Sequence, residues 1–290
     1  MPRAVIEADD LSFFSRAHRG AYGLRITGLD AGAMLVPAEP DWPQLRIEVS
    51  IEDSPLAEER ITDDRADLQL RAGGRLEVDR EEGLARFVVP RPMTDHELLH
   101  PGLAPAAVVM SHWLDRPCFH AGAFVARDGV WAVAGARESG KSSTLAWLAL
   151  NKHPIVADDI LVLDNSGGAY AGPRSIDLRE ETADRLGAGE PLGQVGTRSR
   201  WRVSLLPLPT KLPFRGWFFL EWGDALEVRR LPASDCLSLL LRQRAARIRP
   251  LSPASLLELA ALPAWELRRP PDWNLFDEAA TLLLATTLTE

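Results

Sequence analysis

The stretch that most restricts the fold of this chain is Gly135-Ala-Arg-Glu-Ser-Gly140-Lys141-Ser142, a full match to the pattern G-x-x-x-x-G-K-[ST]. Such a loop works only between a strand that ends and a helix that begins, and both neighbours read that way. Val130-Trp-Ala-Val-Ala134 is a short apolar run suited to a buried strand, and Ser142 to Leu150 has helical periodicity with no Pro or Gly inside. The backbone N–H groups of such a loop, with the positive end of the helix behind them, make a cradle for phosphates. The pattern assigns Gly135, Ala136, Arg137, Glu138, Ser139, Gly140, Lys141, Ser142 and Ser143 to nucleotide binding. Within it the Lys141 ammonium would reach the β- and γ-phosphates, and the Ser142 hydroxyl would ligate Mg²⁺. The plainer alternative is a glycine turn entering a helix, with Lys141 in water. Glu138 is the odd residue of the loop, because a carboxylate beside phosphates is repulsive; it either points outward or weakens ATP binding.

A phosphate loop does not by itself give a reaction. A guanine-specific GTPase would carry N-K-x-D downstream, and the only Asn-Lys, Asn151-Lys152, continues with His-Pro. The L-S-G-G-Q of an ABC ATPase is absent, and Asp164-x-x-Gly167 is explained more simply by turn-forming residues. Neither class accounts for His120 ahead of the loop or for Asp158-Asp159 after its helix. Phosphoryl transfer accounts for both: it needs Mg²⁺ on the β,γ-oxygens and a group that orients and deprotonates the acceptor hydroxyl. Two adjacent carboxylates can divide that work, and a histidine on the adjoining strand can hydrogen-bond the basic one or stabilise charge. Taken singly, the Asp pair is an acidic turn and His120 a core histidine.

Together, His120-Ala-Gly-Ala, the loop GARESGKSS and Ala157-Asp158-Asp159 resemble the catalytic core of the HPr kinase/phosphorylase superfamily. The match is strong over about 45 residues, between His120 and Asp164, with a weaker continuation through Arg198–Trp217. The resemblance implies an α/β fold, with a phosphoenolpyruvate-carboxykinase-like P-loop kinase core. It implies ATP and Mg²⁺ as cofactors, Lys141 on the phosphates, Ser142 and Asp159 on the metal, Asp158 as the base and His120 in support of the Asp pair. The acceptor it implies is a hydroxyl, serine above all, on a peptide or small protein, as in the relatives that phosphorylate lasso-peptide precursors. The chain departs from that family in lacking E-I-R-G-L-G after the Asp pair and a P-G-R-N-type motif. Lys211 or Arg215 could supply the missing phosphate- or acceptor-facing cation. A small-molecule kinase and a non-catalytic nucleotide-sensing scaffold are the alternatives.

Around this core, residues 1–98 read as a β-rich domain for recognition or homo-oligomerisation, and residues 99–290 as the kinase domain with a helical C-terminus. Leu45–Ile51 alternates as a half-buried strand, Gly73-Gly74 turns a hairpin between Ala66–Arg71 and Arg75–Asp79, and Leu84–Val89 extends it. Leu103–Leu114 reads as a helix, Cys118–Ala126 as a strand, Arg127-Asp128-Gly129 as a turn and Ala169–Ala171 as a returning strand. Asp177–Leu186 reads as a surface helix followed by a Gly-rich loop. Trp201–Leu206 and Trp217–Leu220 read as strands, with Lys211 and Arg215 on a loop between them, and Glu227–Leu231 as an edge strand. Helices are expected at Ser234–Arg247, Pro253–Leu262 and Asn274–Leu288, with a Pro/Trp loop at 263–273. Arg198, Arg200 and Arg202 alternate as a solvated edge or a charge clamp, and Arg242–Arg249 as the wet face of a helix. A net charge of −8 argues against nucleic acid and anionic membranes as partners. Two cysteines make no disulfide framework, the acidic N-terminal stretch 1–14 does not suit a signal peptide, and no apolar run approaches a membrane span. The expected location is the reducing cytoplasm.

Overall fold

The computed structural model of the protein describes residues 18–53, 58–127, 129–245 and 251–289. The acidic stretch 1–14, the turn residue Asp128, and Arg247 and Arg249 of the basic run lie outside the described residues. The fold is mixed α/β.

The first part is an eight-stranded sheet of β1 (Arg19–Ala21), β2 (Leu24–Thr27), β3 (Val36–Pro37), β4 (Gln44–Ile51), β5 (Arg60–Ile61), β6 (Arg65–Gln69), β7 (Arg75–Asp79) and β8 (Leu84–Val89). Its order is β3-β1-β2-β4-β8-β7-β6-β5. The sequence dictates much of this. Leu45 and Ile47 turn inward from β4, and Gly73 and Gly74, both at positive φ, close the β6–β7 hairpin without a side-chain clash. The helix Leu103–Trp113 covers the sheet, and its Val109, Met110 and Trp113 share one core with Leu45, Leu76 and Phe87. Ile160, Val162 and Tyr170 enter the same core, so packing runs straight through the expected boundary at residue 98.

The second part is built on β9 (Cys118–Phe119), β10 (Ala121–Ala126), β11 (Gly129–Gly135), β12 (Ile155–Ala157), β13 (Leu161–Val162), β14 (Gly168–Tyr170), β15 (Ser175–Leu178), β16 (Glu190–Val195), β17 (Arg198–Ser204), β18 (Lys211–Trp222), β19 (Glu227–Arg230) and β20 (Ala264–Arg269). Its main sheet has the order β12-β10-β11-β18-β20-β19, with β11, β18 and β20 mutually parallel and β14 paired to β18. Parallel strands covered on both faces need apolar residues throughout, and Trp131-Ala-Val-Ala and Trp217-Phe-Phe-Leu supply them. Ala132, Ala134, Trp217 and Phe219 pack toward the helices Ala233–Gln243 and Pro253–Ala261. Val133, Phe218 and Leu220 pack toward the helices Lys141–Leu150 and Phe276–Thr289. The result is a sheet between two helical layers. No helix among the described residues is long and apolar enough to cross a membrane.

Several expectations are corrected. The 263–273 loop contains β20, which takes its strand state from pairing with β18. Asp177 belongs to β15, and the helix begins only at Glu180; the Gly-rich stretch after it holds β16. β17 is the middle strand of the sheet β15-β17-β16, so its arginines are not on an edge. Lys211 and Arg215 lie within β18 and not on a loop. The helix expected to reach Arg247 ends at Gln243, where Arg244 bridges to Phe119. The strand expected over Cys118–Ala126 breaks at His120, because β9 pairs with β13 while β10 pairs with β11 and β12.

Candidate active site

The sheet geometry gathers the chemistry at one edge. β11 ends at Gly135 and β12, parallel to it through the intervening antiparallel β10, ends at Ala157. His120 stands just before β10, whose Ala121 pairs with Ala134. His120, the loop and Asp158-Asp159 therefore emerge together at the carboxyl ends of parallel strands, where open α/β sheets bind ligands. All of them line one cleft of about 1230 Å³, spacious enough for two ligands side by side. A smaller recess of about 320 Å³, between Arg80, Gly83 and Trp113, holds none of them.

The loop is shaped by φ values that ordinary residues avoid: +151° at Gly135, +88° at Gly140 and +68° at Glu138. A β-carbon on Gly140 would also collide with the Arg269 guanidinium. Lys141 is nearly buried, and its Nζ donates to the carbonyls of Gly135 and Ala136, each at 2.9 Å. Burial pushes its pKa down, while Asp159 and Asp158 pull it back up. Ser139 Oγ is buried and has no hydrogen-bond partner among the described residues. Glu138 is exposed, and its carboxylate accepts from Arg179 Nη2 at 2.5 Å. Arg179, the first cause, holds the Glu138 carboxyl below its usual range.

Asp158 is half-buried, but its Oδ1 is fully enclosed and lacks a hydrogen-bond partner among the described residues. Burial first, and then the charge of Asp159, push its pKa up to about 7, against a hydrogen bond from Ser142 that favours the ionised form. His120 Nδ1 lies 3.4 Å from Asp159 Oδ1, and its backbone N–H donates to Gln243 at 2.7 Å. Burial lowers the His120 pKa, with Asp159 opposing, so the imidazole is neutral at pH 7. Gly122 is needed here because a β-carbon would strike Leu145 of the loop helix and lie 2.6 Å from the Asp158 carbonyl. Arg174, fully buried, donates to the carbonyls of Ile155 at 2.7 Å and Leu206 at 2.8 Å, clamping the strand that presents the Asp pair.

The raised pKa of Asp158 has a sign that can be measured. Between the ordinary carboxyl value of 3.8 and about 7, the folded protein holds a proton on Asp158 that the unfolded chain has released. Stability from this group is therefore present at low pH and is lost as pH rises toward 7. In metal-free protein, Asp158→Asn should raise the melting temperature at pH 8 and leave it nearly unchanged at pH 4. A melting-temperature difference that stays constant across this range would contradict the raised value.

Not every residue singled out from sequence reaches the cleft. Lys211 Nζ is bound to Asp164 Oδ2 at 2.6 Å, and Tyr170 is its partner across β14. Arg215 lies against Gly129, at the opposite end of β11 from Gly135. The register of β18 carries both away from the loop, so neither supplies the second cation. Other cations do face the cleft: Arg137, Arg179 and Arg198 around Glu138, and Arg200 3.3 Å from His100. Arg202 is buried, with both ends of its guanidinium on Asp177 at 2.6 and 2.8 Å and a third contact to His96 at 3.0 Å.

Arg269 is the residue that sequence reasoning missed outright. Buried at the end of β20, it donates from Nη2 to the Ser139 carbonyl at 3.3 Å and lies 4.7 Å from the ring centre of Trp222. Burial pushes its pKa down to about 10. Only its place after a strand end would have flagged it, and that strand was itself read as loop.

Among the described residues no group of three or more His, Cys, Asp or Glu side chains converges on a metal position. A Mg²⁺ ion does not require one, since it is commonly held by one or two carboxylates together with substrate phosphates and water. Ser142 and Asp159 suit that role, and the orphaned Oδ1 of Asp158, which lines the cleft, fits a polar ligand there.

No family model matches the chain, and no curated protein does. Among solved structures it is similar to the Hpr(Ser) kinase/phosphatase from Coxiella burnetii, with a TM-score of 0.31 and 12% identity, over 59% of this chain and 97% of that one. A likeness of that size decides no function, and the chemistry has to come from the cleft itself.

Proposed function

We propose that the protein is an ATP- and Mg²⁺-dependent phosphotransferase that phosphorylates a hydroxyl, serine on a peptide or small protein. The observation that carries this is the meeting of His120, the Gly135–Ser142 loop and Asp158-Asp159 at one sheet edge. Loop amides and Lys141 bind the β- and γ-phosphates, Lys141 exchanging the Gly135 and Ala136 carbonyls for phosphate oxygens. Ser142 and Asp159 would hold Mg²⁺, which would supply charge neutralisation for the transferred phosphate. Asp158 takes the proton from the acceptor hydroxyl as its oxygen bonds to the γ-phosphorus and the bond to ADP breaks. His120 keeps Asp159 oriented.

A peptide acceptor is favoured by the far wall of the cleft. It also includes the half-buried Leu68, Leu70 and Met93 of the first sheet and its flanking segments, an apolar lining suited to side chains around a serine. Maturation of a peptide natural product is the finest form of this proposal.

The test is transfer of labelled γ-phosphate from ATP to serine peptides and to a metabolite extract, with the phosphorylated product identified by mass. A labelled metabolite and unlabelled peptides would replace the peptide acceptor with a small molecule. ATP binding without transfer to any acceptor would leave a nucleotide-sensing scaffold. Lys141→Ala should weaken ATP binding by roughly 10- to 100-fold in calorimetry, the worth of a charged hydrogen-bond donor. Unchanged affinity in that variant would sink the assignment of the loop.

A further inference from the structure

The strand order sets two chemically different groups on opposite sides of the loop. β12, leading into Asp158 and Asp159, stands two strands to one side of β11. β18 and β20, ending at Trp222 and Arg269, stand one and two strands to the other. On that second side the aromatic residues cluster. Trp222 is 41% exposed, and its ring would lie 3.8 Å from a β-carbon placed on Gly140. The Arg269 guanidinium sits 4.7 Å from the Trp222 ring centre and 5.1 Å from that of Phe276. Phe276 in turn packs on Trp273, with ring centres 4.9 Å apart. Trp222, Trp273 and Phe276 all line the cleft.

An indole held in place by a buried cation and left open to water beside a phosphate-type loop is a plate for a flat ring. Aromatic faces stack on one another, and every nucleobase has such a face. The acceptor cannot use this plate, because its hydroxyl has to reach Asp158 on the other side of the loop. We propose that Trp222, backed by Arg269 and flanked by Trp273 and Phe276, is the base subsite of a nucleoside triphosphate. The purine stacks on the open face of Trp222, and its phosphates run past Gly140 to Lys141. This rests on the assignment of the loop to nucleotide phosphates and adds where the other end of the molecule lies.

Calorimetry on the full chain with Mg-ATP and with Mg-tripolyphosphate, which has the phosphates and no base, separates the two assignments. The wild type should bind ATP more tightly than tripolyphosphate. Trp222→Ala should weaken ATP by about tenfold and tripolyphosphate by less than about twofold, while Trp222→Phe keeps most of the ATP affinity. An unchanged ratio of the two affinities in Trp222→Ala overturns the subsite even if both ligands bind. If the wild type binds neither ligand, the loop assignment fails and the subsite with it. If the affinity ratio shifts as expected in Trp222→Ala and no phosphate is transferred, the base subsite stands and the phosphotransferase proposal falls.

Discussion

Asp158→Asn is expected to lower the rate of phosphate transfer by roughly 10²- to 10⁴-fold, the usual contribution of a positioned general base. Asn keeps the size of the side chain and its hydrogen bond with Ser142, but it cannot take a proton. The environment argues for Asp158 over its neighbour. Its Oδ1 is enclosed and free of hydrogen bonds among the described residues, whereas Asp159 Oδ1 faces His120 at 3.4 Å. A carboxylate with one oxygen enclosed and a pKa near 7 is matched to accepting a proton at neutral pH, and its neighbour beside His120 is left to hold a metal. Asp158→Asn should therefore keep ATP affinity near the wild-type value, while Asp159→Asn should shift the Mg²⁺ concentration needed for activity. Single-turnover transfer and calorimetry on both variants decide this. Transfer by Asp158→Asn within a few-fold of wild type would remove Asp158 from the role of base.

The largest effect on stability should come from Arg202→Leu, which is expected to cost about 3–5 kcal/mol. Arg202 and Asp177 are cross-strand partners on β17 and β15, with side chains 3% and 0% exposed. Removing the guanidinium strands a carboxylate where water cannot reach it, and it also breaks the contact to His96 that ties this small sheet to the segment after β8. The pair itself need not be worth so much, since desolvation of both charges offsets much of their attraction. The double variant Asp177→Leu/Arg202→Leu should therefore recover part of the loss. Chemical denaturation of wild type, single and double variants measures it. A single variant that loses less than about 1 kcal/mol would show that Asp177 finds another partner or solvent.

What could be read from sequence was what depends on neighbours along the chain. The loop, its strand and its helix were legible because each is fixed by residues within a few positions, as were the β6–β7 hairpin around Gly73-Gly74 and β8. The Asp pair and His120 were legible as residue types at a spacing, and strand pairing brings them together. The misses share one cause. Ala264–Arg269 lies between Pro263 and Pro270-Pro271 and shows no alternation, so only its pairing with β18 makes it a strand. Without that strand Arg269 has no address, and the cation beside the loop went unnoticed. The charge of Lys211 and Arg215 suits phosphate, but the register of β18 places them at its far end. Asp177 carries the charge pattern of the helix that follows it, yet its pairing with Arg202 holds it in β15.

The order β12-β10-β11-β18 also acts as a ruler. Hydrogen bonding fixes adjacent strands about 4.8 Å apart, so the strands that lead to the Asp pair and to Trp222 stand three spacings, about 14 Å, apart across the sheet. On the assignments proposed above, a nucleotide stacked on Trp222 would bring its γ-phosphate to the acceptor at the Asp pair only if its own length bridges that gap. On the same assignments, free phosphate or a bare nucleoside would engage one end only. The sheet would thereby select by length before any side chain selects by chemistry, and changing the number of strands between the two ends would recalibrate that selection.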